Sequence, residues 1–243
     1  MTRPRLALLN AAYAAESTRR NFRRELDADL VEFDVNDGQL PPTDQFEAGA
    51  TPTDRFDGVV ITGSAASAYW DEGWIDETRE WVRMAHDHGL PILGVCFGHQ
   101  LLASALGGRV EEMSEYEIGY RSVRRTADSP LLSGVDEEFT VFTTHGDRVV
   151  SLPEGAEVFA ENDYGIHGFR VGHAFGVQFH PEYDTETAAA VTRSKEFLGD
   201  ERIEAVVAGI TEENYAAACE AKRLFENFTE YVGRVRAEAE PAR

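Results

Sequence analysis

Residues 91–108 read PILGVCFGHQLLASALGG, and the rest of the chain is organised around this stretch. The apolar run PILGV is typical of a short buried strand, and LLASALGG is typical of a helix that ends at its two glycines. Cys96 lies between them in the strand–turn–helix pattern of a nucleophile elbow, with cysteine in place of serine. The N–H groups and dipole at a helix start favour a thiolate. This pattern indicates a nucleophile, although a small residue buried at a tight turn gives the same letters.

A second stretch, residues 176–182, reads GVQFHPE and supplies the partners that a cysteine nucleophile requires. Pro181 cannot continue a central strand, so His180 and Glu182 are expected where the strand GVQF ends. The thiol needs a base to take its proton, and the base needs a carboxylate to fix its tautomer. The two stretches together predict a catalytic triad of Cys96, His180 and Glu182.

The pair GVCFGHQLLA…GG and GVQFHPE resembles the class I glutamine amidotransferases, which release ammonia from glutamine with a Cys-His-Glu triad. Residues 58–64, GVVITGS, and residues 144–147, THGD, extend the resemblance over about residues 1–185. HGDRV and QFHPE resemble in particular the amidotransferase part of GMP synthases. The family implies a flavodoxin-like three-layer α/β sandwich. The alternation of strands and helices followed by a meander independently predicts a mostly parallel sheet, covered on both faces, with antiparallel additions.

The resemblance also implies roles for residues around the triad. The backbone N–H of Phe97, which follows the nucleophile, and the turn at Gly63 and Ser64 are expected to form the oxyanion hole. Ser64 stands where many family members carry a second glycine. The residues expected to hold the glutamyl part of the substrate are Gln100, Thr144, Gly146 and Asp147. No metal and no organic cofactor is expected to take part.

Periodicity and breaker residues predict the remaining elements. Trp70, Trp74 and Trp81 recur at helical spacing and are expected to pack in the core. Residues 108–125 are interpreted as a hairpin, and 139–143 as a strand that ends at the THGD motif. The further predicted strands are 5–10, 30–35, 58–62, 156–160, 165–171 and 174–179, and a loop is predicted over 37–57. Helices are predicted over 185–198, 201–208 and 212–236.

The sequence therefore predicts one catalytic domain over residues 1–185. The helical residues 186–243 are expected to form an extension packed on that same domain.

The charge balance limits the classes of partner. The chain has 44 acidic and 23 basic residues, a formal net charge of −21, and lysine only at positions 195 and 222. This balance argues against nucleic acid and anionic membrane surfaces as partners. It resembles a protein from a salt-rich cytoplasm, and an ordinary acidic cytosolic protein is the competing interpretation. The apolar run near the N-terminus is too short for a signal peptide, so a cytoplasmic location with reduced thiols is expected.

Three functions fit these patterns. The first is a glutamine amidotransferase that passes ammonia to a separate synthetase subunit, because the chain contains no ATP-binding P-loop. The second is a stand-alone hydrolase of γ-glutamyl peptides or amides. The third is a non-enzymatic scaffold that kept the fold, which the complete set of Cys96, His180 and Glu182 argues against. Turnover on glutamine and on γ-glutamyl dipeptides discriminates among them.

Overall fold

The computed structural model describes residues 3–13, 15–46 and 55–239. The strands in these ranges are β1 (Arg5–Asn10), β2 (Asp29–Asp34), β3 (Gly58–Ile61), β4 (Ile92–Val95), β5 (Arg109–Arg125), β6 (Glu138–Ser151), β7 (Glu157–Asn162), β8 (Gly165–Val171) and β9 (Ala174–Val177). The helices are α1 (Ala15–Glu25), α2 (Gly73–Asp87), α3 (Phe97–Ala105), α4 (Thr185–Arg193), α5 (Asp200–Ala208), α6 (Glu212–Ala218) and α7 (Arg223–Ala239).

The strands form one mixed sheet in the order β2-β1-β3-β4-β9-β8-β7-β5-β6. The first five strands in this order are parallel neighbours, and each later pair is antiparallel. Strand β4 is central and pairs with β9, so Gly94 lies opposite Gly176. This register brings the carboxyl ends of the two strands together, and these ends carry the two conspicuous sequence motifs.

Helices cover both faces of the parallel part. Along β1, Leu6 and Leu8 join one buried cluster, whereas Ala7 and Leu9 join another. Such alternation is what a strand buried on both faces requires. The first cluster contains Phe22 of α1 together with residues of α7, and the second contains apolar residues of α2 and α3. The predicted three-layer α/β sandwich with a mostly parallel sheet is confirmed.

The region after α3 differs from the prediction. Residues 108–125 are not a hairpin, because Arg109–Arg125 is a single strand that pairs antiparallel with β6. The register shifts between Glu112 and Glu117, and this irregularity interrupts the local alternation of side chains. Strand β6 likewise continues through residues 144–147 to Ser151, so the THGD motif lies within a strand and not after one.

Two helical predictions also need correction. Trp70 precedes α2 and is 44% exposed, so it is not a core residue, whereas Trp81 of the same pattern is buried. The predicted helix over 212–236 is divided, because α6 ends at Ala218 and a 3₁₀ turn, Cys219–Lys222, connects it to α7. The part of the predicted loop at residues 47–54 lies outside the described residues. Within the described ranges, no helix is long and apolar enough to span a bilayer.

Candidate active site

Cys96 occupies a strained turn between β4 and α3. Its φ is 51°, and it is the only residue other than glycine with positive φ in the described chain. The turn depends on two flanking glycines. A Cβ at Gly94 would lie 2.3 Å from the carbonyl oxygen of Gly98, and one at Gly98 would lie 2.4 Å from that of Ile61. Neither backbone contact tolerates a side chain, so the glycines allow the close approach that presents the thiol at the strand end.

His180 and Glu182 lie just beyond β9, beside the elbow. The Nδ1 atom of His180 lies 2.7 Å from Oε1 of Glu182, and both side chains are buried. The peptide N–H of His180 donates to the carbonyl of Phe142 at 2.9 Å, which fixes the imidazole to strand β6. Arg24 of α1 donates to the carbonyl oxygen of Glu182 at 2.6 Å. The imidazole and the carboxylate are therefore each anchored to a neighbouring element of the fold.

The environment favours the imidazolium form of His180. Burial by itself lowers the pKa of His180, but the charges of Glu182 and Cys96 and hydrogen bonds with both side chains raise it to about 10. Tyr183 stacks on the imidazole with ring centroids 4.2 Å apart. Burial raises the pKa of Tyr183 well above its usual value, so the phenol remains neutral. A protonated imidazole beside a thiol is the pair that stabilises a thiolate.

The turn after β3 approaches the imidazole closely. A Cβ at Gly63 would lie 2.7 Å from Cε1 of His180, so a larger residue would displace the ring. Ser64 shapes this turn, since its hydroxyl oxygen accepts from the N–H of Ala66 at 3.1 Å. Phe97 begins α3, where a peptide N–H has no partner within the helix. The ring of Phe97 packs on Trp74, so only its backbone can serve the site.

The residues expected to bind the glutamyl group all line the cavity above Cys96. Both oxygens of the Asp147 carboxylate accept hydrogen bonds, from the hydroxyl of Ser67 at 2.6 Å and from that of Tyr69 at 3.0 Å. Thr144 and Gly146 lie on the same strand, β6. The amide nitrogen of Gln100 donates to the carbonyl of Asp147 at 3.0 Å, and this bond fixes the strand relative to the elbow helix.

Three further residues at the site were not identified from the sequence. Gln178 places its amide nitrogen 3.6 Å from the sulfur of Cys96, and its oxygen accepts from Gln100 at 3.1 Å. Tyr116 places its hydroxyl 3.0 Å from that of Thr144. Tyr183 stacks on the imidazole, as described above. Gln178 and Tyr183 flank the triad motif in sequence, and this proximity was the available indication; Tyr116 reaches the site only through the long β5–β6 pairing.

One group of potential metal ligands lies behind the cavity within the described residues. It comprises Glu117, His145 and His167, whose ligand atoms lie within 4.8 Å of one another. Hydrogen bonds account for this arrangement, because Nε2 of His145 lies 2.6 Å and that of His167 3.2 Å from Oε2 of Glu117. Burial alone would raise the pKa of Glu117, but these hydrogen bonds and the charges of the two histidines lower it to about 2. His145 also contacts the carbonyl of Asp147 at 2.9 Å, so the group supports the cavity wall.

The cavity above the thiol has a volume of about 640 Å³, within the usual range for ligands of drug size. Four large apolar side chains are exposed in the described chain, and all four line this cavity: Tyr13, Tyr69, Trp70 and Phe197. Exposed aromatic side chains gathered in one place indicate a binding surface. The site therefore combines a buried nucleophile with a wide aromatic entrance.

Comparison with known proteins places these motifs in a family. The family model described as glutamine amidotransferase class-I matches residues 15–198. A GMP synthase [glutamine-hydrolyzing] of Thermomicrobium roseum is 40% identical over 126 residues, covering 51% of this chain and 23% of that protein. Gamma-glutamyl peptidase 5 of Arabidopsis thaliana is 33% identical over 162 residues, covering 63% of this chain and 62% of the peptidase. The match thus spans less than two thirds of either relative.

Solved structures share the fold. A glutamine amidotransferase of Thermotoga maritima superposes with a TM-score of 0.76 at 21% identity, covering 95% of this chain and all of the other. A GMP synthase subunit from Thermoplasma acidophilum gives a TM-score of 0.69 at 19% identity, with 98% of each chain covered. At these identities the likeness concerns the fold alone.

Proposed function

The chain belongs to the class I glutamine amidotransferase family, and from that premise we propose that it hydrolyses a γ-glutamyl amide through a thioester on Cys96. Glutamine is the simplest substrate of this kind, and its products are glutamate and ammonia. The observation that carries the proposal is the strained Cys96 beside the His180–Glu182 pair, with Nδ1 and Oε1 2.7 Å apart. The proposed chemistry requires no metal and no organic cofactor.

In this mechanism His180 holds the thiol proton while the sulfur of Cys96 attacks the amide carbon. His180 then gives that proton to the departing amine as the carbon–nitrogen bond breaks. Water attacks the thioester with His180 as base, which releases the acid and restores the thiol. Glu182 orients the imidazole and stabilises its positive charge. Each attack creates an oxyanion, for which the proposed donors are the N–H of Phe97 and the turn at Gly63 and Ser64.

The proposed substrate subsite for the glutamyl group consists of Gln100, Thr144, Gly146 and Asp147. The Asp147 carboxylate, fixed by Ser67 and Tyr69, is suited to an α-ammonium group. If glutamine is the substrate, the proposed recipient of ammonia is a separate synthetase subunit. The match to proteins named glutamine-hydrolyzing GMP synthases supports this role.

A second candidate, hydrolysis of γ-glutamyl peptides, is favoured by the size of the cavity. Its volume of about 640 Å³ and its aromatic entrance provide room beyond a glutamine molecule. The 33% identity with a plant protein named gamma-glutamyl peptidase also supports it. Both candidates use the same thioester chemistry and differ only in the amine that leaves.

Replacement of the nucleophile tests the proposed chemistry. Cys96→Ala is expected to abolish hydrolysis of glutamine and of γ-glutamyl dipeptides, because no other described nucleophile contacts a base of this kind. Cys219→Ala is the matched control, since Cys219 is the other free thiol and is half-buried outside the cavity. Mass spectrometry after reaction with a diazo-ketone analogue of glutamine locates the labelled residue. Labelling of Cys219 would contradict the assignment.

We also propose a cytoplasmic location in a salt-rich cell. The supporting observation is the net charge of −21 together with only two lysines. High ionic strength screens the repulsion among such charges.

A further inference from the structure

Lys195 is a cation in the cavity with no acidic partner among the described residues. It follows α4 and lines the cavity with Cys96. No carboxylate of the described chain lies within ion-pair distance of its ammonium group, which is placed over the ring of Tyr116 at 5.8 Å. Lys222, the only other lysine, pairs with Glu25 at 2.5 Å. In a chain with such an excess of acidic residues, an unpaired lysine in the cavity is unexpected.

The surroundings of Lys195 make an unpaired charge costly. Burial lowers the pKa of Lys195, and the charge of Cys96 partly opposes this effect. The ammonium group is thus partly removed from water and lies close enough to the nucleophile to sense its charge. A partly buried cation gains most from an anion that completes its hydrogen bonds. A bound substrate can supply that anion.

The position of Lys195 indicates which part of a substrate it meets. His180 must protonate the leaving amine, so the leaving group lies beside the imidazole. The chain runs from His180 through Tyr183 and α4 to Lys195, and Thr187 and Val191 of this segment line the cavity. The Asp147 carboxylate, which suits the α-ammonium of the glutamyl group, belongs to β6. Lys195 is therefore on the segment that follows the acid, and Asp147 is on another.

We propose that Lys195 binds the free carboxylate of the leaving amino acid, so that the site prefers γ-glutamyl dipeptides to amides without that carboxylate. This inference rests on the proposed γ-glutamyl hydrolysis. Cleavage of the amide bond by water gives glutamate and a free amino acid, whose amine receives the proton from His180. Phe197, which packs edge-on against Tyr116 at 5.1 Å, and Val191 provide an apolar surface next to the ammonium group.

The test compares γ-glutamylalanine with γ-glutamylalaninamide, which differ only in the terminal carboxylate. The ratio of the two kcat/KM values is expected to fall at least tenfold in Lys195→Gln and to be largely kept in Lys195→Arg. Arg193→Gln is the matched control, because it removes one exposed positive charge from the end of α4. That control is expected to leave the ratio unchanged.

Two outcomes would overturn the inference. Equal losses on both substrates in Lys195→Gln would place the carboxylate of the glutamyl group, and not that of the leaving amino acid, at Lys195. An unchanged ratio with unchanged rates would leave Lys195 without a binding role.

Calorimetry in the Cys96→Ala background separates this inference from the proposed function. Tighter binding of the dipeptide than of its amide, lost in the Cys96→Ala, Lys195→Gln double variant, supports the subsite even if the unmodified enzyme cleaves neither compound. Hydrolysis of both compounds without a Lys195-dependent preference would retain the proposed function and reject the subsite.

Discussion

Glu182 controls the protonation of His180 at the scale of single residues. Only Oε1 of the carboxylate is used by the imidazole, and Oε2 is buried with no hydrogen-bond partner among the described residues. A buried carboxylate with an unsatisfied oxygen is costly, and such exceptions concentrate at functional sites. Its negative charge is the main influence that opposes the effect of burial and raises the pKa of His180 to about 10.

Glu182→Gln is expected to shift the alkaline limit of activity to lower pH. The pKa of His180 in the folded protein lies above the ordinary value of 6.5, so the imidazolium persists at neutral pH and is lost as pH rises through about 10. Without the carboxylate charge, the proton is lost at a lower pH, and turnover falls by a large factor at about pH 8–9. The measurements are kcat/KM against pH and NMR titration of the imidazole.

Glu186→Gln is the matched control for this prediction. It removes an exposed carboxylate from the start of α4 that pairs with Arg20, and it is expected to leave the pH profile in place. A Glu182→Gln profile that coincides with that of the unmodified enzyme would replace the triad with a Cys–His dyad.

Helix α7 belongs to the core at the scale of elements. Its residues Leu224, Phe225, Phe228 and Val232 are fully or almost fully buried in the cluster that also contains Leu6 and Leu8 of β1. The ring of Phe225 meets that of Phe22 of α1 edge-on, with centroids 6.0 Å apart. The last long helix therefore contributes to one layer of the sandwich. We propose that residues 186–243 form an extension of the catalytic domain and share its stability.

Phe228→Ala is expected to destabilise the whole domain by about 3–5 kcal/mol, because it removes a buried ring and leaves a cavity beside the sheet. Glu230→Ala, on an exposed position of the same helix, is expected to change the free energy of unfolding by less than about 0.5 kcal/mol. Urea unfolding followed by tryptophan fluorescence and circular dichroism measures both variants. A separate transition for the helical residues, with the sheet unaffected, would reject a shared domain.

Electrostatic repulsion acts on the whole molecule. Local ion pairs relieve part of it, as where Arg19 contacts both Glu32 and Asp34 at 2.8 and 2.5 Å. These side chains are partly exposed, and ion pairs in contact with solvent contribute little to stability. The acidic residues outnumber the basic ones by 21, so the excess negative charge cannot all be paired.

The melting temperature is expected to rise as KCl is increased from low to molar concentration. At about 1 M salt the Debye length is about 3 Å, which screens the repulsion among the excess acidic groups. Salt also weakens the attractive pairs, but the net charge of −21 makes repulsion the larger effect. Differential scanning calorimetry measures the trend, with sucrose at equal osmolality as the uncharged control. A melting temperature that stays flat or falls with KCl would reject the salt-adapted interpretation.

The sequence by itself determined the family, the fold class and the position of the nucleophile. Strand β4 was recognisable because a short apolar run ends at glycines around Cys96, and such a turn has strict steric requirements. The motif at residues 176–182 was informative because its chemistry needs specific residue types within a few positions. Short-range constraints of this kind are written in neighbouring residues, so they can be recognised without a structure.

Tertiary structure alone decided the features that depend on distant pairing. Local alternation could not show that residues 109–125 form one strand, because its irregular register is defined only by the partner β6. The exposure of Trp70 depends on where α2 begins, and helical spacing continues through that boundary. Tyr116 and Lys195 reach the cavity from segments 20 and 99 residues away from Cys96 along the chain. Their meeting results from burial of the sheet between its helices, an energy that no single segment contains.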